Sequence, residues 1–175
     1  MASPGPHASS LRKGRYSQNG QYYFLTTSVA GRRNIFANPF CGSGILPRHR
    51  AWKALPQDQD LAFVVLDVIR WIHDSGRFIV DAAVVMPDHL HFVGQLCDGT
   101  LSKLVHSLKS YTANILSKAG VESPVWQDGY HDHGLRDDED YRVKVRYVLQ
   151  NPVRAGLVGK VEDYPYLMLP DWWVG

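Results

Sequence analysis

Cysteine is nearly absent from this 175-residue chain, which has only Cys41 and Cys97 and no C-x-x-C pair. That excludes a stapled secreted scaffold and a paired-cysteine zinc motif, and leaves room for one disulfide at most. Long apolar runs are also missing: nothing approaches the roughly 18 residues a membrane span needs. The opening MASPGPHASSLRKGRYSQNG has no apolar centre of the kind a secretory signal carries, so the expectation is a protein that stays in the cytoplasm. Internal repeats and low-complexity tracts are lacking too, which argues against a solenoid. Acid, finally, is missing from the first third. Residues 1–57 contain Arg12, Lys13, Arg15, Arg32, Arg33, Arg48, Arg50 and Lys53, while all 17 acidic residues lie beyond Gln57. A net charge of only +2 thus hides a strongly basic amino-terminal region, the footprint of an anion-binding arm or of a solvated loop surface.

What is present reads as one globular domain. Hydrophobic residues make up 45% of the chain and charged residues 21%, near the averages for folded proteins. Residues 1–20 read as a flexible basic tail and 21–175 as a single domain. YYFLTTSV (22–29), aromatic and β-branched, predicts a first strand. Residues 31–57, broken by Pro39, Gly42, Gly44, Pro47 and Pro56, predict a long connection. Apolar residues at 61, 64, 65, 68, 69 and 72 then predict a helix, capped by Asp58 or Asp60 and stopped by Gly76.

RFIVDAAVVM and HLHFVGQL predict two strands joined tightly at Pro87–Asp88. A second helix carries Leu101, Leu104, Val105, Leu108, Thr112, Ile115 and Leu116 on one face and ends at Gly120, and a fourth strand is expected over 125–136. DDEDYRVKVRYVLQ predicts a last helix, acidic at its positive end and ending near the residue before Pro152. The order β-α-β-β-α-β plus one helix is the ferredoxin-like α+β arrangement, an antiparallel sheet with helices on one face.

Within VVMPDHLHFVGQL, His89 and His91 are two apart on a strand, so both imidazoles leave the same sheet face. They form a ready pair of metal ligands, although an H-x-H triplet also arises by chance. Tyr147 and Asn151 are spaced i and i+4 and share a helix face. Brought against the histidines, they add a third ligand and a hydroxyl; equally, Asn151 fits a helix cap and Tyr147 a core position.

MPDHLHF, taken with YVLQNPVRAGLV, resembles the single-tyrosine HUH transposases of bacterial insertion sequences, and most closely their REP-associated tyrosine transposases. The likeness begins at YYFLTTSVAGRRNIF and runs to about Pro165. It implies a divalent metal, Mg²⁺ or Mn²⁺, on His89, His91 and Asn151, with Gln150 the less favoured third ligand. It implies Tyr147 as the nucleophile, which joins to a 5′-phosphate and frees a 3′-hydroxyl. The implied substrate is single-stranded DNA folded into a REP-like hairpin, cut by a monomer or by a dimer that swaps the tyrosine helix, in a bacterial cytoplasm. The backbone contacts are assigned to Arg12, Lys13, Arg15, Arg32 and Arg33, with Tyr16 stacking on bases; Tyr22 and Phe24 are expected in the core, and Lys103 and Lys109 read equally as solvated lysines.

Two other readings fit the residues. His131 and His133 repeat the H-x-H pattern and, with His89 and His91, offer a four-histidine metal site with no role for DNA. A ferredoxin-like sheet also suits a non-catalytic module that binds single strands, though the aromatic signature strand of such RNA-binding sheets is missing.

Overall fold

The computed structural model describes residues 17–37, 60–136 and 138–173, apart from the side chain of residue 139. Arg12, Lys13, Arg15, Tyr16, Cys41 and most of the predicted long connection lie outside the described residues.

Eight principal elements follow in the order β1 (Tyr22–Ser28), α1 (Leu61–Asp74), β2 (Phe78–Met86), β3 (His89–Leu96), α2 (Leu101–Lys118), β4 (His131–Gly134), α3 (Asp138–Arg154) and β5 (Leu167–Met168). Asp60, one of the two predicted caps, accepts from the Ala62 backbone N–H and starts α1, while Thr100 caps α2 through Lys103 N–H. The apolar face of α1 is buried through Val65, Val68, Ile69 and Ile72, and that of α2 through Leu101, Leu104, Val105, Leu108 and Leu116. Burying these stripes, rather than helix propensity, holds both helices in place.

All strand pairs are antiparallel, in the order β4-β1-β3-β2-β5. The first four follow the ferredoxin-like order, and β5 covers the outer edge of β2, which would otherwise be free to pair with another chain. Alternation along β1 buries Tyr23, Leu25 and Thr27 and leaves Tyr22, Phe24 and Thr26 on the other face. The first set joins Phe78, Leu90 and Phe92 in the core. α1 and α2 pack on each other and cover that face, and α3 lies across β2 and β3 on the opposite one.

The structure departs from expectation in five places. The fourth strand shrinks from 125–136 to four residues, because Gly129 at φ 71° turns the chain; Trp126 makes only an isolated bridge to Val29. Next, α3 does not stop before Pro152 but runs through it to Arg154. Pro152 lies so near the helix end that its missing N–H costs one ladder bond, at the Val148 carbonyl, and Asn151 stays helical instead of capping. β5, two residues long, is too short to leave a periodic signal. The tail boundary also moves, since Ser17 Oγ accepts from Leu101 N–H at 3.0 Å and Gly20 N–H donates to the Leu96 carbonyl at 2.6 Å. Finally, the start of the expected long connection is packed: Phe36 is buried against Trp126, with ring centroids 5.6 Å apart.

One irregularity positions α3. A register shift between Val80 and Ala82 makes Asp81 the extra residue of a bulge in β2. Gly94 of β3 lies opposite, where a Cβ would sit 2.1 Å from the Ile79 carbonyl oxygen, so only glycine fits.

Candidate active site

Pairing of β1 with β3 sets Ser28 opposite His89, Thr26 opposite His91 and Phe24 opposite Val93. The two imidazoles therefore project side by side from the face beneath α3, with centroids 4.5 Å apart. Each ring is oriented through Nδ1. His91 Nδ1 lies 2.7 Å from Thr26 Oγ1, and His89 Nδ1 lies 2.5 Å from Asp88 Oδ1. The other oxygen of Asp88 accepts from Arg32 at 3.2 Å, which makes a short relay from guanidinium to carboxylate to imidazole.

With Nδ1 engaged on both rings, Nε2 is the nitrogen left to each for a ligand. His91 is 7% exposed, and burial, helped by His89 and Arg32, lowers its pKa to about 3. It is neutral at physiological pH, the form a metal requires. The donor set therefore fits a divalent cation: two oriented imidazoles, one of them held neutral, with a carboxamide available from α3.

α3 brings Tyr147 to this pair. Its ring meets His91 edge-on at 5.7 Å and Phe24 at 5.8 Å, and the residue is 36% exposed. Two cations bracket the same ring: Arg154 lies 5.4 Å from its centroid and Lys144 6.0 Å. Asn151, one helical turn further on, is half-buried, whereas Gln150 is exposed in the outer groove beside Tyr147. His89, His91 and Tyr147 are thus gathered within one chain.

Other predicted residues are used differently. Arg33 is a structural clamp: Nη2 donates to the Glu122 carbonyl at 2.9 Å and to that of Pro124, and Nε to Ala30 at 3.1 Å, so its donors are committed to backbone rather than phosphate. Lys109 donates to the Gln127 carbonyl at 2.7 Å and to that of Gly129, pinning the turn before β4; burial lowers its pKa to about 8. Tyr22 and Phe24 lie on the α3 face, with Tyr22 exposed and Phe24 half-buried, not in the core. Cys97 is a free, exposed thiol.

The four-histidine arrangement does not form. β1 separates His131 and His133 from His91 and His89, and among the described residues no group of three or more His, Cys, Asp or Glu is placed to hold a metal. Sequence reasoning passed over Thr26, Lys144 and Arg154. Asp88 left a signal beside His89, but Thr26 left none, because only strand register sets it against a residue 65 positions away.

Residues 52–151 match the family model for IS200-like transposases. A REP-associated tyrosine transposase of Escherichia coli K12 is 33% identical over 155 residues, covering 87% of this chain and 78% of that protein. A Haemophilus influenzae Rd protein described as a putative REP-associated tyrosine transposase is 29% identical over 97 residues, 49% of this chain and 55% of its own length. Among solved structures, that of a REP-associated tyrosine transposase bound to a REP hairpin superposes with a TM-score of 0.64. It covers 92% of this chain and 89% of that one at 23% identity, which supports the shared fold. With the family model spanning more than half of the chain and the first relative 33% identical across most of it, this protein belongs to the IS200-like transposases, a family of enzymes that nick and join DNA.

Proposed function

We propose that the protein cuts and rejoins single-stranded DNA at REP-like hairpins, with Tyr147 as the nucleophile and His89, His91 and Asn151 holding a divalent metal, Mg²⁺ or Mn²⁺. The observation that carries this reading is the Tyr147 ring 5.7 Å from His91, on the face where both histidines have Nδ1 engaged. The names of the E. coli relative and of the hairpin-bound structural neighbour support the choice of substrate.

A phosphodiester resists attack because its oxygens repel an incoming nucleophile; the cation, when bound, neutralises a non-bridging oxygen and orients the phosphate. α3 holds the Tyr147 ring 5.7 Å from His91, so a phosphate oriented by a cation on the histidines would meet the tyrosine without a large loss of entropy at the moment of reaction. The Tyr147 oxygen forms the new P–O bond as it gives up its proton. The bond to the 3′ oxygen breaks, and that oxygen leaves with the electron pair and takes up a proton. The products are a 5′-phosphotyrosine and a free 3′-hydroxyl. Because the phosphodiester energy is kept in the covalent link, another 3′-hydroxyl can reverse the step and join strands. Asp88 and Thr26 act on the imidazoles: the Asp88 carboxylate accepts from His89 Nδ1–H and Thr26 Oγ1 engages His91 Nδ1, which leaves Nε2 as the nitrogen available to a ligand on each ring. Tyr147, His89, His91, Thr26 and Asp88 meet within one chain.

The test is incubation with end-labelled, hairpin-bearing single-stranded DNA and Mn²⁺. Wild-type protein should form a denaturation-resistant adduct, Tyr147→Phe should lose it entirely, and chelation should abolish it. An adduct that persists in Tyr147→Phe, or cleavage that survives chelation, overturns the assignment.

A further inference from the structure

Residues 141–160 contain Arg142, Lys144, Arg146, Arg154 and Lys160 and not one acid, in a part of the chain that is otherwise rich in Asp and Glu. On α3 the spacing i, i+4, i+8, i+12 places Arg142, Arg146, Gln150 and Arg154 in a row along one side of the helix. All four are exposed, and the three arginines have no ion-pair partner among the described residues. Together with Val143, Tyr147 and Asp138, the last one turn ahead of Arg142, they line an open groove of about 620 Å³.

We infer that this groove is the track for the single-stranded flank of the DNA, with Arg142, Arg146 and Arg154 holding successive phosphates and Gln150 between them offering a hydrogen bond. The inference rests on the reading of Tyr147 as the nucleophile, and names where the strand that reaches it runs. Three observations carry it. The row is about 18 Å long, at 1.5 Å of rise per residue, enough for several nucleotides of an extended strand. It runs past the phenol read as the nucleophile, since Tyr147 lines the same groove between Arg146 and Gln150 and Arg154 lies over its ring. Among the described residues no ion pair engages these arginines, although Asp138 lines the end of the groove, and guanidinium groups so presented to solvent are suited to bidentate contact with phosphate, unlike Arg33, whose Nε and Nη2 donate to backbone carbonyls. Val143 and the Tyr147 ring floor the groove with apolar surface, on which an unpaired base can rest.

The experiment measures binding of a fluorescent, hairpin-free single-stranded oligonucleotide across a KCl series, with chelator present so that no cleavage occurs. Arg142→Ala/Arg146→Ala removes two charges from the row. Lys103→Ala/Lys118→Ala removes two from exposed positions on α2, beyond the opposite face of the sheet. Each lost phosphate contact lowers the slope of log K against log salt by about 0.7, so the arginine variant should lose about 1.4 from the slope and the lysine control close to nothing. A thermal midpoint within a degree or two of wild type keeps unfolding out of the comparison, and single Arg142→Gln and Arg146→Gln variants, each expected to lose about half as much, replace the double variant if it does not fold. An unchanged slope in the arginine variants, or an equal fall in the lysine control, overturns the track. The covalent adduct is scored separately on wild-type protein: binding with the expected slopes but without an adduct refutes Tyr147 as nucleophile and leaves the track standing.

Discussion

At the scale of single residues, the site depends as much on what holds the imidazoles as on the imidazoles. Thr26 has one visible role, the 2.7 Å contact with His91 Nδ1. Thr26→Val keeps the shape and removes the hydroxyl, so the His91 ring loses the partner that orients it through Nδ1. Calorimetric titration with Mn²⁺ should show metal affinity lowered by about 10- to 100-fold, the range for lost outer partners of a ligating histidine. An affinity equal to wild type would remove Thr26 from the site. Arg32 and Arg33 show how little a charge says of its own use. They are adjacent, yet Arg32 reaches the carboxylate that orients His89 while Arg33 ties together the Ala30 and Glu122–Pro124 backbones. Composition registers both as positive charge, and only their partners tell them apart.

At the scale of elements, the question is what seats the tyrosine helix. The β2 bulge turns Asp81 toward α3, where the Tyr141 hydroxyl donates to its carboxylate. Oδ2 of Asp81 is buried with no hydrogen-bond partner among the described residues. Burial raises the Asp81 pKa to about 6, against the opposing pull of Tyr141 and His73, and burial and Asp81 together push Tyr141 up to about 12. Between about pH 4 and pH 6 the folded protein holds a proton that the unfolded chain has released. Stability therefore falls as pH rises through that window, and stays lower above it.

Asp81→Asn removes the ionisation and keeps an acceptor for Tyr141. Allowing for solvent screening of a partly exposed group, it should be more stable than wild type at pH 7.5 by about 1 kcal/mol, or a few degrees in Tm, with the difference vanishing near pH 4. Thermal melts at both pH values check this, and a difference that does not change with pH would reject it. The same scale explains Pro152. A proline within a helix is read as a stop, but in the last turn it costs one backbone bond, which packing of α3 on β2 and β3 more than offsets.

At the scale of the whole molecule, Tyr147 meets His91 of its own chain. Mixing Tyr147→Phe with His91→Ala, each inactive alone, should therefore recover no adduct. Recovery toward a quarter of wild-type activity would mean that two chains exchange α3. Among the described residues, no helix is long and apolar enough to cross a membrane.

The residues of the candidate site were largely legible as types and spacings. His89 and His91 share a face because strands alternate, and Tyr147 and Asn151 share one because helices repeat every 3.6 residues. Both are local rules that need no knowledge of the fold. The α1 and α2 stripes and the tight turn at Pro87–Asp88 were legible for the same reason. Two-residue β5 and the bulge at Asp81 were not, because neither leaves a period to detect.

By itself, then, the sequence determined where the three helices and the three longer strands form, which side of α1 and α2 is apolar, and that a basic, cysteine-poor chain carries paired histidines ahead of a tyrosine helix. Only the tertiary structure decided that Thr26 and Asp88 orient the rings, that Arg33 and Lys109 are spent on backbone, and that a row of arginines without an ion-pair partner among the described residues shares a groove with Tyr147. The division has a physical cause. Periodicity and capping act within a few residues, whereas a hydrogen bond between Thr26 and His91, or a ring contact between His91 and Tyr147, exists only once strand register and helix packing have brought distant segments within a few ångströms.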